Sequence, residues 1–320
     1  MSPRPLRRPA SASTALVAPG VLLLVVALLA LAGSPARASG SVAQRTTEHR
    51  RVTTWAPVAD ATITPGVQLY TRGAQCTASF VLTDAAGHVY LGYAAHCAAG
   101  GESTDTDGCT VRTYRYGTRV RVASGGSLLT GGTTLARGRL AWSSWRAMQA
   151  SGGDDAAACA GNDLALVRLP TAAVAHVNPS VPVWGGPTGL GAAPAEGDAV
   201  FSYGASSLRA GQNPLSPRTG QVLAPDPSTR GWTLEVMTAT PGVPGDSGSG
   251  FLDAEGRAVG TLSTLAVLPV PGSNGVSALA RALDWAAAHG APAGLRLVPG
   301  TEPFTGVAPA AAAGLLGATG

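Results

Sequence analysis

Lysine is absent from the 320-residue sequence, and all 22 basic residues are arginine. Charge is scarce at 12% and aromatic residues make up only 5%, whereas 45% of the chain is hydrophobic. A disordered chain is more charged and less apolar. This composition suits one large domain or two small ones with a buried core. With the many Ala, Gly and Pro residues, the missing lysine reads as genomic GC bias rather than as chemistry. Cysteines number four, and no two of them form a C-x-x-C pair, which argues against zinc or thioredoxin-type chemistry. There is no internal repeat and no alternation of strand and helix signals.

Acidic residues are missing from 1–38, which hold four of the arginines. Arg4, Arg7 and Arg8 precede the apolar run "VLLLVVALLALA" (21–32), and "ARA" (36–38) follows it. This is the pattern of a secretory signal cut after Ala38. An uncleaved anchor is the alternative, but a span needs about 20 apolar residues and this run is shorter. Taking four arginines from 22 leaves 18, against 18 Asp plus Glu, so the mature chain is formally neutral. It lacks the basic footprint of a nucleic-acid binder. Export also places Cys76, Cys97, Cys109 and Cys159 in an oxidising compartment, where an even count reads as two disulfides. The expectation is a secreted monomer without stable membrane association after cleavage.

Residues 39–64 are polar and read as a linker or short propeptide. From 65 to 298 short apolar runs alternate with turn formers: "ASFVLT" (78–83), "HVYLGYAA" (88–95), "DLALVRL" (163–169), "DAVFSYG" (198–204), "WTLEVMT" (232–238) and "AVGTLSTLAV" (258–267). Each has strand length, so the domain is expected to be all-β, a barrel or sandwich. "VSALARALDWAAAHG" (276–290) reads as a helix capped by Ser277 and ended by Gly290. Residues 299–320 are rich in Pro, Ala and Gly and read as a disordered tail.

"PGDSGSG" (244–250) is either a flexible loop or a turn that aims one hydroxyl. A serine hydroxyl is a poor nucleophile without a base, and the base needs an acid to hold its tautomer. A base candidate is His96, in "YAAHC" (93–97), and an acid candidate is Asp163, in "NDLALVRL" (162–169). Ser247 in "GDSGSG" completes the set. Each also has a structural reading: a buried histidine, a strand-end cap with Asp154 and Asp155 nearby, and a loop serine.

"AAHC", "DLALV" and "GDSG", in that order, resemble a chymotrypsin-fold (trypsin-like) serine protease of the secreted actinobacterial type. The resemblance covers about 65–290. It implies two six-stranded antiparallel β-barrels, a C-terminal helix and an active site between the barrels. It further implies His96 as general base, Asp163 as its orienting acid and Ser247 as nucleophile. The N–H groups of Gly245 and Ser247 become the oxyanion hole. Ser263, Thr264 and Leu265 pair with a polypeptide substrate, and Pro241 lies at the floor of the primary pocket. With no acid in these segments, that pocket is expected to be uncharged. Cys76 is expected to bond Cys97 and brace the His96 loop, leaving Cys109 to Cys159. No cofactor or metal is called for.

The sequence departs from the family at Ser249 and Gly250, where Gly-Pro is usual, and it lacks an "IVGG" start. Asp246 is therefore expected to pair with an internal arginine, or else with Val52 after processing. Two other readings stand beside the peptidase. One is an inactive protease-like binding module. The other is a serine esterase of the α/β-hydrolase type, disfavoured because "GDSGS" lacks the last Gly of G-x-S-x-G and only His289 follows Ser247.

Overall fold

A computed structural model describes residues 53–100, 106–153, 155–209, 211, 214–266 and 270–307. The expected signal segment and most of the expected linker lie outside these residues. Seven strands come first: β1 (Gln68–Thr71), β2 (Ala74–Thr77), β3 (Val81–Thr83), β4 (Val89–Tyr93), β5 (Arg119–Ser124), β6 (Thr133–Ser143) and β7 (Ala165–Arg168). Six more follow: β8 (Ala199–Tyr203), β9 (Pro217–Val222), β10 (Thr233–Thr238), β11 (Gly250–Leu252), β12 (Ala258–Leu265) and β13 (Asn274–Ala278). A short β14 (Arg296–Leu297) comes last. The four α-helices are α1 (Ser144–Ser151), α2 (Ala156–Gly161), α3 (Thr171–Val174) and α4 (Leu279–Ala288), and three short 3-10 turns complete the described elements.

The expected all-β architecture is present. The second half closes into a six-stranded barrel in the order β10-β13-β12-β11-β8-β9. Leu234, Val236, Phe251, Val259, Leu262 and Val276 fill its interior. The first half is an eight-stranded sheet, β14-β3-β4-β7-β6-β5-β1-β2, where six strands were expected. The hairpin strand β2 and the C-terminal β14 supply its two edges. Every pairing between named strands is antiparallel. The α/β-hydrolase alternative is therefore excluded, since it needs a parallel sheet with a strand–turn–helix elbow. A shared core of Phe80, Trp142, Leu166, Leu252, Leu279 and Ala282 joins the two halves and α4.

Two boundary expectations are corrected. Ser277 is not a helix cap: β13 runs through Ala278 and α4 begins at Leu279, without a side-chain cap. Strand pairing of Ser277 with Thr233 and Thr261 takes precedence over the local helical pattern. The packed body also runs past 65 and 298. The Ala56 N–H donates to the Val177 carbonyl, and Ile63 is buried. At the other end Thr305 N–H donates to Trp184 O, and Phe304 stacks edge-on against Phe201. Of the expected tail, 299–307 is therefore part of the fold, and the remainder lies outside the described residues. Among the described residues no helix is long and apolar enough to cross a membrane.

Candidate active site

β4 delivers a single 3-10 turn, Ala95–Ala98, that carries His96. Its small neighbours Ala94, Ala95 and Ala98 are fully buried and anchor the turn. Cys97 is disulfide-bonded to Cys76 on β2, as expected. The second expected bond, Cys109–Cys159, is also present and ties the segment after the His96 turn to α2.

Asp163 sits where α2 hands over to β7, with its side chain only 2% exposed. Its Oδ1 accepts the His96 backbone N–H at 2.8 Å, and its Oδ2 lies 2.7 Å from His96 Nδ1. The Ser263 hydroxyl donates to the same Oδ2 at 2.6 Å. The Asp163 N–H donates to Ser277 Oγ, which donates on to Gly161 O. Burial pushes the Asp163 carboxyl up. The His96 charge and the hydrogen bonds from His96 and Ser263 outweigh it and hold the group below the usual carboxylate range. For His96, burial pulls the imidazole down, and the adjacent Asp163 carboxylate overcomes this and raises it. Nδ1 is committed to the carboxylate, so Nε2 is left as the basic nitrogen.

Ser247 lies in a turn that only glycine permits at two places. Gly245 has φ +95° and Gly248 has φ +92°. A Cβ at Gly248 would sit 2.3 Å from the Thr77 carbonyl oxygen, and one at Gly245 would sit 2.2 Å from Gln75 Oε1. The Ser247 carbonyl accepts the Thr77 N–H at 2.8 Å, and the Gly245 carbonyl accepts from Thr77 Oγ1 and Gln75 Nε2. The N–H groups of Gly245 and Ser247 have no acceptor among the described residues. Ser249, the other hydroxyl of the motif, is buried and donates to the Asp246 carbonyl.

Asp246 meets internal arginines, one of the two partners the sequence offered, while Val52 lies outside the described residues. Its carboxylate meets Arg209 Nη1 at 3.1 Å and Arg218 Nη1 at 3.3 Å. It also accepts the N–H groups of Ser206 and Val243. Two internal arginines thus hold the turn from behind.

His96 and Ser247 line one cleft of about 550 Å³, which Gly245, Ser263, Thr264 and Leu265 also face. Pro241 does not line it. Gly242, Val243 and Pro244 form that wall, while the Pro241 carbonyl is bound by the Arg209 guanidinium. No lining residue is acidic among those described. Arg218 Nη1 is 3.0 Å from where a Gly242 Cβ would stand, but this guanidinium faces Asp246. Trp145 on α1 was not anticipated. Its ring lies 6.2 Å from that of His96 and closes one side of the cleft. An aromatic in a helical run carries no sequence signal for such a role.

No family model matches the sequence, and no curated protein matches it. Solved structures do share similarity. Protease A of Thermobifida fusca is 18% identical over 74% of this chain and 99% of its own, at TM-score 0.44. Nocardiopsis protease gives 18% identity over 73% and 98%, at 0.42. Cellulomonas bogoriensis chymotrypsin gives 20% over 74% and 98%, also at 0.42.

Proposed function

We propose that the chain is a secreted serine endopeptidase acting on polypeptides through an acyl-enzyme on Ser247. The observation that carries the reading is the His96–Asp163 pair, bonded at both backbone and ring, in the cleft that Ser247 lines. In this reading Ser247 Oγ attacks the scissile carbonyl carbon and its proton passes to His96 Nε2. The N–H groups of Gly245 and Ser247 receive the oxyanion, a contact worth about 3 kcal/mol per donor in such sites. The imidazolium then gives its proton to the leaving amine. Water, deprotonated by the same nitrogen, releases the second product. Asp163 orients the ring and stabilises the imidazolium throughout.

The two disulfides fit an oxidising compartment and so favour export. The acid-free lining, with Val243, Leu262 and Leu265 on its walls, favours small or medium apolar side chains before the scissile bond. Burying a cation there without a counter-charge costs several kcal/mol.

Treatment with a sulfonyl fluoride, followed by mass spectrometry, tests the nucleophile. One adduct on Ser247, absent from Ser247→Ala, is expected. An adduct elsewhere overturns Ser247 as the nucleophile, and none on folded protein that also cleaves no peptide leaves the inactive binding module as the surviving reading.

A further inference from the structure

Thr264, Gly275 and Glu235 stand in one row across three strands. Thr264 on β12 pairs with Gly275 on β13, and Gly275 pairs with Glu235 on β10. Residues directly opposite in antiparallel strands share a face. This face is outside the barrel, because Leu234, Leu262 and Val276 point the other way into the core. It is also the face that meets Asp163. Ser277, two residues from Gly275, accepts the Asp163 N–H, and Thr233, two residues from Glu235, lies against Gly161.

Gly275 has no side chain, so the side chains of Thr264, Thr233 and Glu235 close over it. A Cβ there would sit 2.4 Å from Thr264 Oγ1 and 3.6 Å from Glu235 Oε1. The Glu235 carboxylate therefore lies over β13, on the same side as the Thr264 hydroxyl, which also leans over Gly275. Glu235 is half-buried and receives one long hydrogen bond, from Ser273 Oγ at 3.4 Å. No cation lies within ion-pair distance of it among the described residues. Burial, assisted by Asp226, pushes its carboxyl above the ordinary range. A partly desolvated carboxylate without a partner gains from any cation brought to it.

The adjoining edge of β12 is open. β11 pairs with β12 as far as Thr261 and backbone bonds to Gly248 and Ser249 continue to Leu262, so among the described residues Ser263–Leu265 present a free edge on the side away from β13. A peptide added there lies two strand spacings from β13, about 10 Å. An arginine or lysine side chain with one hydrogen bond spans that distance, and shorter polar side chains do not. We infer that Glu235 forms an acidic subsite selecting Arg or Lys two to four residues before the scissile bond. This rests on the peptidase reading above and is separate from the uncharged primary pocket.

The test is kcat/KM of the purified protein on peptides sharing one uncharged residue at the scissile bond. Each of the three preceding positions is varied in turn among Arg, norleucine and Glu. At one of them Arg should exceed norleucine by tenfold or more. In Glu235→Gln that ratio should fall to about one, and in Thr264→Ile, which puts a bulkier apolar side chain between the peptide and the carboxylate, it should fall likewise. An Arg preference that survives both variants, or cleavage without any preference, overturns the subsite and leaves the peptidase standing. Failure to cleave any peptide overturns both.

Discussion

His96 and Asp163 set each other's charge, and this fixes the pH behaviour. The raised imidazole is inactive as a base while protonated, so the rate should climb with pH through a value above the ordinary 6.5. A limb below 6.5 in kcat/KM would contradict the pairing. Folding stability follows the same shifts. The His96 contribution is full below 6.5 and is lost as pH rises through the raised folded value. The Asp163 contribution is present above about 3.9 and is lost as pH falls through the depressed one. Asp163→Asn should lower kcat by about 10⁴, the size found when a triad acid is neutralised. Ser263→Ala removes one of the bonds to Oδ2, and should cost about 1–3 kcal/mol of stability with a much smaller loss of rate. Urea melts and kcat on one peptide separate the two variants. Of this set, His96, Asp163 and Ser247 were legible because each stands in a distinctive short motif. Ser263 and Ser277 reach Asp163 across 100 and 114 residues, and no local pattern distinguishes their hydroxyls from many others.

The turn that carries Ser247 depends on charge placed behind it by other elements. Asp246 shares one carboxylate between Arg218, which is fully buried, and Arg209, which is partly exposed. Removing the acid leaves a buried guanidinium uncompensated, a change that typically costs 3–5 kcal/mol. Asp246→Ala should therefore destabilise by about that much, and Arg209→Ala by clearly less, because Arg218 still meets Asp246. Equal losses in denaturant melts would show that the buried arginine does not carry the pair. The sequence pointed to an internal arginine but could not choose among the 18 that follow residue 38, since a 3-10 turn at Ser207–Arg209 and strand β9 bring Arg209 and Arg218 together only in the fold. The strand signals behaved similarly. β4, β7, β8, β10 and β12 lie within runs of apolar residues and were legible. The longest strand, β6, was not, because "TTLARGRLAWS" interrupts its apolar face with Arg137, Gly138 and Arg139. Gly138 is needed there: a Cβ would sit 2.5 Å from Val167 Cγ1 on the neighbouring strand.

At the scale of the whole molecule, composition misjudged the C-terminus. "PGTEPFTGV" (299–307) has the Pro and Gly content of a linker, yet it returns across the barrel. Gly186 N–H donates to Glu302 O, Gly300 N–H to Pro187 O and Thr305 N–H to Trp184 O. Phe304 fills the space above Gly256, whose absent Cβ would lie 2.4 Å from its ring, and meets Phe201 at 5.2 Å between centroids. Phe201 in turn meets Trp184 at 5.2 Å. One aromatic among small residues thus docks the segment, and composition averages conceal a single anchor. Aromatic pairs of this kind add about 0.5–1.5 kcal/mol beyond their burial, and each lost backbone bond adds about 1 kcal/mol. Ending the chain after Val298 removes the Phe304 contact and the three backbone bonds at once, for a loss of several kcal/mol. In a domain of this size 1 kcal/mol corresponds to about 2–4 °C. Tm should therefore fall by about 10 °C relative to a chain ended after Val307, and Phe304→Ala alone should give a large part of that fall. Equal Tm values for the two truncations would mean that 299–307 lies on the barrel without stabilising it.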